Sequence, residues 1–460
     1  MTIHSVSKDI FRAYDIRGIV GEGLNAEVVT LVGKAVATEA LEMGESTLIV
    51  GADARLSSPA FKCALIDGIL STGCHVTDIG TVPTPVLYYA THTTGTSCGV
   101  MITGSHNPKN YNGIKMVLKN QCLAADQITR IRARIDIENF RSGSGITEQT
   151  DVQAAYIKRI CSDIRYSKPF RVVIDCGNAV AGYCAPMLFS ALGCEVIPLY
   201  CKPDGHFPNH HPDPTRHENL IDLIASVEKH GADLGIAFDG DGDRVGLISS
   251  SGKIIDADSM MLAFIDDILP DNPNASIIFD VKSSQQLPRL IRKHQGKPIM
   301  CKSGHSFVKQ EMQATGALLG GEYSSHIFFR HRWFGFDDGL YAAARYLELM
   351  DKQQCSADDL LARQPVSFST PELQVAVSEE KKFETMAMLQ KNLAIPGATI
   401  NRLDGIRAEA ENAWGLVRAS NTTPNLILRF EADTAEALEQ VQTLFREAIT
   451  ALAPDLTLGF

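Results

Sequence analysis

Several features that define particular protein classes are missing from the 460-residue sequence. It has no apolar run of about 18 residues, the length that crosses a bilayer, and residues 1–8 lack the apolar core of a secretory leader. Its eleven cysteines include no C-x-x-C pair, so reduced core thiols are the default expectation. We therefore expect a cytoplasmic protein without a membrane partner.

Positive charge is also in the minority, because the chain has 43 Lys and Arg residues against 54 Asp and Glu residues, and there is no basic tract. The formal net charge of −11 repels polyanions, so we expect no nucleic-acid partner, although a small basic cleft for one phosphate ester is allowed. Two catalytic motifs are missing as well. Without a G-x-S-x-G elbow or a Gly-x₄-Gly-Lys-Ser/Thr loop, hydrolase and nucleoside-triphosphatase functions are disfavoured.

What the sequence does contain is a repeated alternation of short apolar strands and helical segments, the pattern of α/β domains around largely parallel sheets. In three successive units a strand-like run, at 98–102, 234–238 and 317–320, leads directly into a polar loop. Loops at the carboxyl ends of such strands can converge on one cleft. The C-terminal part indicates a smaller α+β domain. We predict domains at residues 1–150, 151–252, 253–365 and 366–460.

Three aspartates separated by single glycines, Asp239, Asp241 and Asp243, follow the run 234–238. Carboxylates held about 5 Å apart repel by about 3 kcal/mol per pair at an effective dielectric of about 20, and a divalent cation with oxygen ligands converts that repulsion into attraction. The glycines allow the loop to turn its side chains toward one point. With Arg244 beside it, the loop predicts a magnesium-type site that receives an anion such as phosphate.

Three other interpretations of this loop compete with the first. A calcium-binding EF-hand fails, because its template needs glycine at position six and glutamate at position twelve, where the chain has Arg244 and Ser250. A phosphatase that uses Asp239 as nucleophile stays open, although Asp243 suits a metal better than a phosphate. A solvated acidic turn also stays open, since surface turns are rich in Asp and Gly.

A second polar loop, residues 103–108 (Thr-Gly-Ser-His-Asn-Pro), follows the first strand-like run. Its Ser105 is a small hydroxyl flanked by glycine and histidine, and it could act as a nucleophile. Taken alone, these six residues could equally form an ordinary turn, because Gly, Ser, Asn and Pro are turn formers.

Along nearly its whole length the sequence resembles the α-D-phosphohexomutase superfamily, and most closely its bacterial phosphomannomutase/phosphoglucomutase branch. Four motifs carry the resemblance, in the family's order and at domain-sized intervals: 103–108 (TGSHNP), 239–244 (DGDGDR), 321–326 (GEYSSH) and 418–423 (RASNTT). The resemblance implies a heart-shaped enzyme with three repeated α/β domains, a smaller α+β domain and a central cleft. It also implies interconversion of the 1- and 6-phosphates of mannose and glucose.

The family's chemistry implies a role for a first set of residues. A phosphoserine at Ser105 would donate to a phosphosugar, and the resulting hexose 1,6-bisphosphate would turn around and return its other phosphate. Lys115, if cationic neighbours lowered its pKa, would be a candidate general base. The implied catalytic residues are Ser105, Arg17, Lys115 and Arg244, and the implied Mg²⁺ ligands are Ser105, Asp239, Asp241 and Asp243.

Substrate recognition is implied for a second set. Glu322 and Ser324 would bind ring hydroxyls shared by both orientations of the sugar, and Arg418 would begin a loop that holds the far phosphate. The implied substrate-binding residues are Tyr14, Arg244, Lys282, His305, Glu322, Ser324, His326, Arg418, Ser420, Asn421 and Thr422.

A few positions depart from the family pattern and bear on sugar specificity. Tyr323 and Ser325 stand where relatives often have Met and Gly, residues 283–286 (Ser-Ser-Gln-Gln) stand where basic residues are usual, and Ala52 replaces an often basic residue. The Glu-x-Ser pair is kept, so mannose and glucose phosphates rank ahead of glucosamine phosphate, the activity of a sister branch. A sugar phosphatase and a catalytically silent sugar-phosphate-binding relative stay as alternatives, and we expect a monomer.

Overall fold

The computed structural model describes residues 6–420 and 423–460, which build four sheets, each accompanied by helices. Three of these sheets mix parallel and antiparallel strands, and the fourth is antiparallel. The prediction of three α/β domains followed by an α+β domain is confirmed. Among the described helices, none combines the length and the apolarity that a membrane crossing needs.

The first domain contains the strands β1 (Ile16–Ile19), β2 (Thr47–Ala52), β3 (His75–Thr81), β4 (Gly99–Ile102), β5 (Tyr111–Leu118), β6 (Gln121–Cys122) and β7 (Thr147–Gln149), and the helices α1 (Ala26–Glu42), α2 (Ser58–Leu70), α3 (Thr84–Thr93) and α4 (Asp126–Asp136). The strand order is β1-β5-β4-β2-β3-β7, with β6 paired to β5. Strand β5 runs antiparallel to β1 and β4, whereas β2 is parallel to β3 and β4. Because helices cover both faces of the sheet, β4 is buried along its whole length and its sequence is continuously apolar.

The second domain contains α5 (Gln153–Asp163), β8 (Arg171–Asp175), α6 (Ala185–Ala191), β9 (Glu195–Leu199), α7 (Ile221–His230), β10 (Leu234–Phe238), β11 (Val245–Ser249) and β12 (Ile254–Ile255). Its strand order is β12-β11-β10-β8-β9. Strands β8, β9 and β10 are parallel, and β11 turns back antiparallel to β10. Strand β12 pairs with β11, so this sheet extends two to three residues beyond the boundary at residue 252 that we expected from the sequence.

The third domain contains α8 (Ala257–Ile268), β13 (Ser276–Asp280), α9 (Gln286–Lys293), β14 (Lys297–Cys301), α10 (His305–Thr315), β15 (Leu319–Gly321), β16 (Ile327–Phe329), α11 (Gly339–Gln353) and α12 (Ala357–Ala362). Its strand order is β14-β13-β15-β16. Strand β13 is parallel to both β14 and β15, and β16 turns back antiparallel to β15.

The fourth domain contains β17 (Phe368–Ser369), β18 (Leu373–Ala376), α13 (Glu379–Asn392), β19 (Thr399–Asn401), β20 (Ile406–Glu409), β21 (Ala413–Ala419), β22 (Asn425–Ala432) and α14 (Ala435–Leu452). The strand order is β17-β22-β21-β20-β19, and β18 also pairs with β22. All these pairings are antiparallel. A separate apolar core around Phe430 and Phe445 supports this domain, whereas the largest apolar cluster runs through the first three.

Each of the first three domains has the same arrangement at its functional loop. A strand that pairs in parallel with its neighbour ends, a polar loop follows, and the next strand returns antiparallel. Residues 103–110 connect β4 to β5 in this way, residues 239–244 connect β10 to β11, and residues 322–326 connect β15 to β16. In the fourth domain, the segment after β21 likewise precedes an antiparallel partner, β22. The four motifs thus occupy comparable positions in successive domains.

Candidate active site

Ser105 lies just beyond the end of β4, on a loop that holds it in a rarely used backbone conformation. It is buried, and its φ of 46° lies in the left-handed region that non-glycine residues seldom adopt. The backbone N–H of Ser105 donates to Thr103 Oγ1 at 2.8 Å. Its Oγ donates to Asp239 Oδ2 at 2.9 Å and lies 3.1 Å from His106 Nδ1. The hydroxyl of the first domain is therefore aimed at the acidic loop of the second.

The acidic loop after β10 is shaped by its first aspartate and its two glycines. Asp239 Oδ1 accepts hydrogen bonds from the backbone N–H groups of Gly242 at 3.0 Å and Arg244 at 3.2 Å, which closes the turn. Gly242 has a φ of 77°, which glycine adopts without strain. A Cβ atom at Gly240 would overlap the carbonyl oxygen of Ser105. The two loops are thus in backbone contact where glycine leaves room.

The three carboxylates are fully buried and offer oxygen atoms that lie within 4.8 Å of one another. Asp241 Oδ1 and Asp243 Oδ1 have no hydrogen-bond partner among the described residues. Burial, together with the charges of Asp241 and Asp243, raises the pKa of Asp239 well above its usual range. Converging oxygen ligands, two of them unsatisfied, are the donor set that a hard divalent cation such as Mg²⁺ accepts. The residues present therefore fit the predicted metal site.

Lys115 reaches this acidic loop from β5. Its Nζ donates to Asp241 Oδ2 at 2.7 Å and to Asp243 Oδ2 at 2.5 Å. Burial on its own would lower the pKa of Lys115, but these two carboxylates outweigh it and raise that pKa. The condition for a general base, a pKa of Lys115 lowered by cationic neighbours, is not met here, because the groups it touches are anionic. In this arrangement Lys115 places a positive charge against the acidic loop.

The two candidate catalytic arginines have different partners. Arg17 on β1 pairs with Asp15 Oδ2 at 2.5 Å, and its buried Nη1 has no partner within the described part of the chain. Arg244 donates from Nε to His326 Nε2 at 3.0 Å and lies 3.9 Å from Asp239 Oδ2. Because His326 Nε2 accepts from Arg244, its proton is on Nδ1, which faces Asp337. His326 thus orients Arg244.

The predicted sugar-binding residues gather around the loop after β15. Glu322 Oε1 accepts from the backbone N–H of Gly304 at 2.6 Å, while its buried Oε2 has no partner in the described ranges. Half-buried Ser324 lies two residues further along. His305 stacks on His326 with ring centroids 5.6 Å apart, and the ring of Tyr14 lies nearly perpendicular to that of His305 with centroids 5.1 Å apart. The predicted sugar-binding residues thus combine an unpaired buried carboxylate oxygen with the flat faces of several rings.

The predicted phosphate-binding loop of the fourth domain is tied to the third. Arg418 pairs with Asp404 Oδ2 at 3.1 Å, and the same oxygen accepts from the backbone N–H of Ser303 at 3.1 Å. Ser303 directly precedes Gly304, which binds Glu322. The backbone N–H of Ser420 donates to Asn425 O at 2.9 Å. The remaining two predicted residues of this loop, Asn421 and Thr422, lie outside the described residues.

The positions that depart from the family pattern lie mainly where the third domain meets the fourth. The ring of Tyr323 lies 3.6 Å from the guanidinium of Arg429, and Ser284 Oγ donates to Glu431 Oε1 at 2.7 Å. Lys282, predicted to bind substrate, pairs with Glu372 Oε1 at 2.6 Å. These side chains therefore join two domains, a use that sequence patterns could not reveal because the partners are far apart in the chain.

Several residues that contact the site have no role that the sequence predicts. Thr84, at the start of α3, donates from Oγ1 to Asp241 Oδ2 at 2.6 Å and from its backbone N–H to Asp241 O at 2.9 Å. Burial, followed by the charge of Arg244, lowers the pKa of His106, which is therefore neutral beside Ser105. Arg55 binds the backbone of the Ser105 loop. Of these three residues, only Arg55 lies near a position noted from the sequence, Ala52, which departs from the family pattern.

Comparison with protein families matches the chain in four consecutive parts. The matching models are those described as Phosphoglucomutase/phosphomannomutase, alpha/beta/alpha domain I at residues 8–142, domain II at 154–252 and domain III at 256–368, and the C-terminal domain at 372–448. Together the four models match most of the chain, and their order along the sequence is the order of the four sheets.

Individual proteins of known family are similar to this chain over nearly its whole length. A phosphomannomutase/phosphoglucomutase from Pseudomonas aeruginosa is 51% identical over 451 residues, which is 98% of this chain and 97% of the relative. A phosphoglucomutase from Neisseria gonorrhoeae is 44% identical over 449 residues, 97% of each chain. A crystal structure of a phosphoglucomutase/phosphomannomutase family protein from Burkholderia thailandensis matches with a TM-score of 0.94 and 44% identity, covering 99% of this chain and all of its own.

Proposed function

Because the chain belongs to the phosphoglucomutase/phosphomannomutase family, we propose that the clustered Ser105, Asp239 and Arg244 carry out the phosphohexose interconversion of that family. The protein is a phosphohexomutase, an isomerase of carbohydrate metabolism that acts on hexose phosphates. The observation that supports the assignment of residues most strongly is the hydrogen bond from Ser105 Oγ to Asp239 Oδ2, which joins the two defining motifs across a domain boundary.

In the proposed mechanism Ser105 carries the transferred phosphoryl group. The bond between Ser105 Oγ and phosphorus breaks as a sugar hydroxyl oxygen bonds to phosphorus. The proton of that sugar hydroxyl passes to Ser105 Oγ, which leaves a free serine and a hexose 1,6-bisphosphate. The bisphosphate then presents its other phosphate to Ser105, and the same exchange runs in reverse. Arg244, held by His326, and Arg17 supply fixed positive charge near the phosphoryl group, where in-line positioning and charge neutralisation provide most of the catalysis.

Mg²⁺ would be held by Asp239, Asp241, Asp243 and an oxygen on Ser105, a donor set consistent with the buried unsatisfied carboxylate oxygens. When bound, the ion supplies charge neutralisation at the phosphoryl oxygens. Lys115 holds Asp241 and Asp243 in place as a fixed cation. Thr84 keeps Asp241 Oδ2 oriented from the other side.

Substrate binding is proposed for the loops of the third and fourth domains. Glu322 and Ser324 would form hydrogen bonds with the sugar ring hydroxyls that are available in both orientations of the substrate. Tyr14, His305 and Lys282 would surround the sugar. Arg418 and Ser420 would hold the phosphate that is not reacting, together with Asn421 and Thr422. The link from Arg418 through Asp404 to Ser303 supports a single site shared by both domains.

An assay on three sugar phosphates tests the proposed activity. Purified protein, supplied with Mg²⁺ and glucose 1,6-bisphosphate, is expected to convert mannose 1-phosphate and glucose 1-phosphate to their 6-phosphates, and glucosamine 1-phosphate much more slowly. Each product is measured by a coupled dehydrogenase or by phosphorus NMR. Stoichiometric release of inorganic phosphate would instead support a phosphatase, and binding without conversion would support a silent relative.

Changing Glu322 to glutamine is expected to raise KM for glucose 1-phosphate about 10- to 100-fold, with kcat within about threefold. Glutamine keeps the bond from Gly304 but replaces the buried, unpaired Oε2 by an amide, and a hydrogen bond to a charged acceptor contributes about 1.5–3 kcal/mol. Initial rates over a range of substrate concentrations measure the effect. Glu348→Gln, which breaks an ion pair with Arg332 instead, is the matched control, and an equal KM rise there would contradict the role of Glu322.

We also propose that the enzyme acts as a monomer in the cytoplasm. Hydrogen bonds link the four domains of one chain in turn, from Ser105 to Asp239, from Arg244 to His326 and from Ser303 to Asp404, so a single chain brings the proposed site residues together. All eleven cysteines are free thiols, which suits a reducing compartment. Light scattering at working concentration should give the mass of one chain.

A further inference from the structure

Arg55 follows β2 and lies beneath the loop that carries Ser105. It is buried, with 2% of its surface exposed, yet its guanidinium faces mostly backbone rather than carboxylates. It donates to four carbonyl oxygens of this loop: Ser105 O at 2.6 Å, Asn107 O at 2.6 Å, Pro108 O at 2.7 Å and Tyr111 O at 3.0 Å. One side chain thus binds the loop from the nucleophile to the first residue of β5.

A neighbouring aspartate extends this attachment. Asp53 Oδ2 accepts from the backbone N–H of Gly104 at 3.0 Å and lies 3.3 Å from Arg55 Nε. A Cβ atom at Gly104 would overlap the guanidinium, so the arginine lies directly against the main chain. The ring of Phe207, from the second domain, lies 5.3 Å from the guanidinium carbon and covers it. The guanidinium thus contacts both the main chain at Gly104 and the ring of Phe207. We call Arg55 with Asp53 the clamp of the Ser105 loop.

The conformation of Ser105 explains why such a clamp is needed. A non-glycine residue with φ of 46° is strained, and such a conformation persists only where the surroundings hold it in place. The carbonyl of Ser105 is one of the groups that Arg55 binds, so releasing it would let the backbone relax and turn Oγ away from Asp239. We propose that Arg55 is a positioning residue that holds Ser105 in the left-handed conformation from which its phosphoryl group is transferred.

The chemistry of the side chain supports this assignment, which rests on the proposed role of Ser105. A guanidinium has five N–H donors in a planar fork, whereas the ammonium of lysine is a single point from which three donors radiate. Four carbonyl oxygens spread over seven residues need the fork. Lysine at position 55 keeps the charge but cannot reach all four acceptors.

The test compares Arg55→Lys with Arg407→Lys. Arg407 is a matched control because it is also buried, donates to two carbonyl oxygens, those of Val281 and Ser283, and pairs with one carboxylate, Glu409, but contacts nothing in the Ser105 loop. We expect Arg55→Lys to lower kcat about 10- to 100-fold with KM within about twofold, since small misplacements of reacting groups have effects of this size. We expect Arg407→Lys to keep kcat within about threefold.

Hydrogen exchange separates positioning from general destabilisation. Deuterium uptake by the peptide that spans residues 103–111 should become about tenfold faster in Arg55→Lys and stay unchanged in Arg407→Lys, even if both variants lose similar thermal stability. Unchanged uptake in Arg55→Lys, or equal kcat losses in the two variants, would overturn the proposal. If the wild-type protein lacks mutase activity the proposed function fails, whereas the exchange experiment still decides whether Arg55 holds the loop. Should Arg55→Lys not fold, Phe207→Leu is expected to raise uptake about threefold, and no change there would also overturn it.

Discussion

Ser105→Ala is expected to lower kcat for the glucose 1-phosphate to glucose 6-phosphate conversion by about 10⁴-fold or more, the scale seen when a covalent nucleophile is removed. Alanine cannot carry a phosphoryl group, so both halves of the exchange are lost. The substitution removes the hydrogen bond to Asp239 and the contact with His106, and the free energy of unfolding should fall by only about 1–3 kcal/mol. Rates at saturating substrate and mass spectrometry of the phosphorylated chain measure the effect.

The control for this prediction lies beyond the other end of the same strand. Ser97 precedes β4 and donates from Oγ to Glu45 at 2.9 Å, far along the strand from the acidic loop. Ser97→Ala should keep normal turnover and still yield one phosphate per chain after incubation with glucose 1,6-bisphosphate. Turnover of Ser105→Ala within tenfold of wild type, or a phosphate found on another residue, would show that Ser105 is not the carrier.

The second large effect concerns the metal. Asp243→Asn is expected to raise the Mg²⁺ concentration for half-maximal activity by about 100-fold, because one of three converging charges is lost and a single charge pair at about 5 Å is worth about 3 kcal/mol even at a dielectric of about 20. Asparagine has nearly the same size, so the loop should keep its shape. Activity of the wild type should vanish in excess EDTA and return when Mg²⁺ is added. Titrations of activity against Mg²⁺ provide the measurement.

A buried carboxylate away from the loop is the appropriate comparison. Asp351 accepts hydrogen bonds from the backbone N–H and the hydroxyl of Ser167 at 2.7 and 2.6 Å, and it takes no part in the acidic loop. Asp351→Asn should leave the Mg²⁺ requirement unchanged. Metal affinity that stays the same in Asp243→Asn, or full activity in EDTA, would remove the three aspartates from the proposed metal site.

Local sequence determined much of the fold and of the site. The run 234–238, predicted as a strand, forms one to the residue, because a strand buried on both faces is continuously apolar. The acidic loop was evident because Asp239 and its neighbours are adjacent in the chain, and like charges at such spacing need a counterion.

The contacts that cross between domains were not predictable in the same way. Lys115 binds carboxylates 126 and 128 positions away, and nothing in its own segment reveals that its neighbours are acidic. The same holds for Tyr323, whose partner Arg429 comes from a strand of another domain. The sign of a buried pKa shift, and the function of a departure from the family pattern, depend on such long-range partners. They become known only when the chain is folded.

The need for glycine at position 240 limits which chimeras between homologous enzymes can fold and function. Any larger residue there would overlap the carbonyl of Ser105, so the first two domains meet here through a backbone contact that leaves no room for a side chain. A chimera that joins the first domain of one homologue to the remainder of another has to preserve this close fit within a fraction of an ångström. Crossovers before residue 103 keep Ser105 and Gly240 from the same parent, so they should give functional hybrids more often than crossovers at the junction near residue 150.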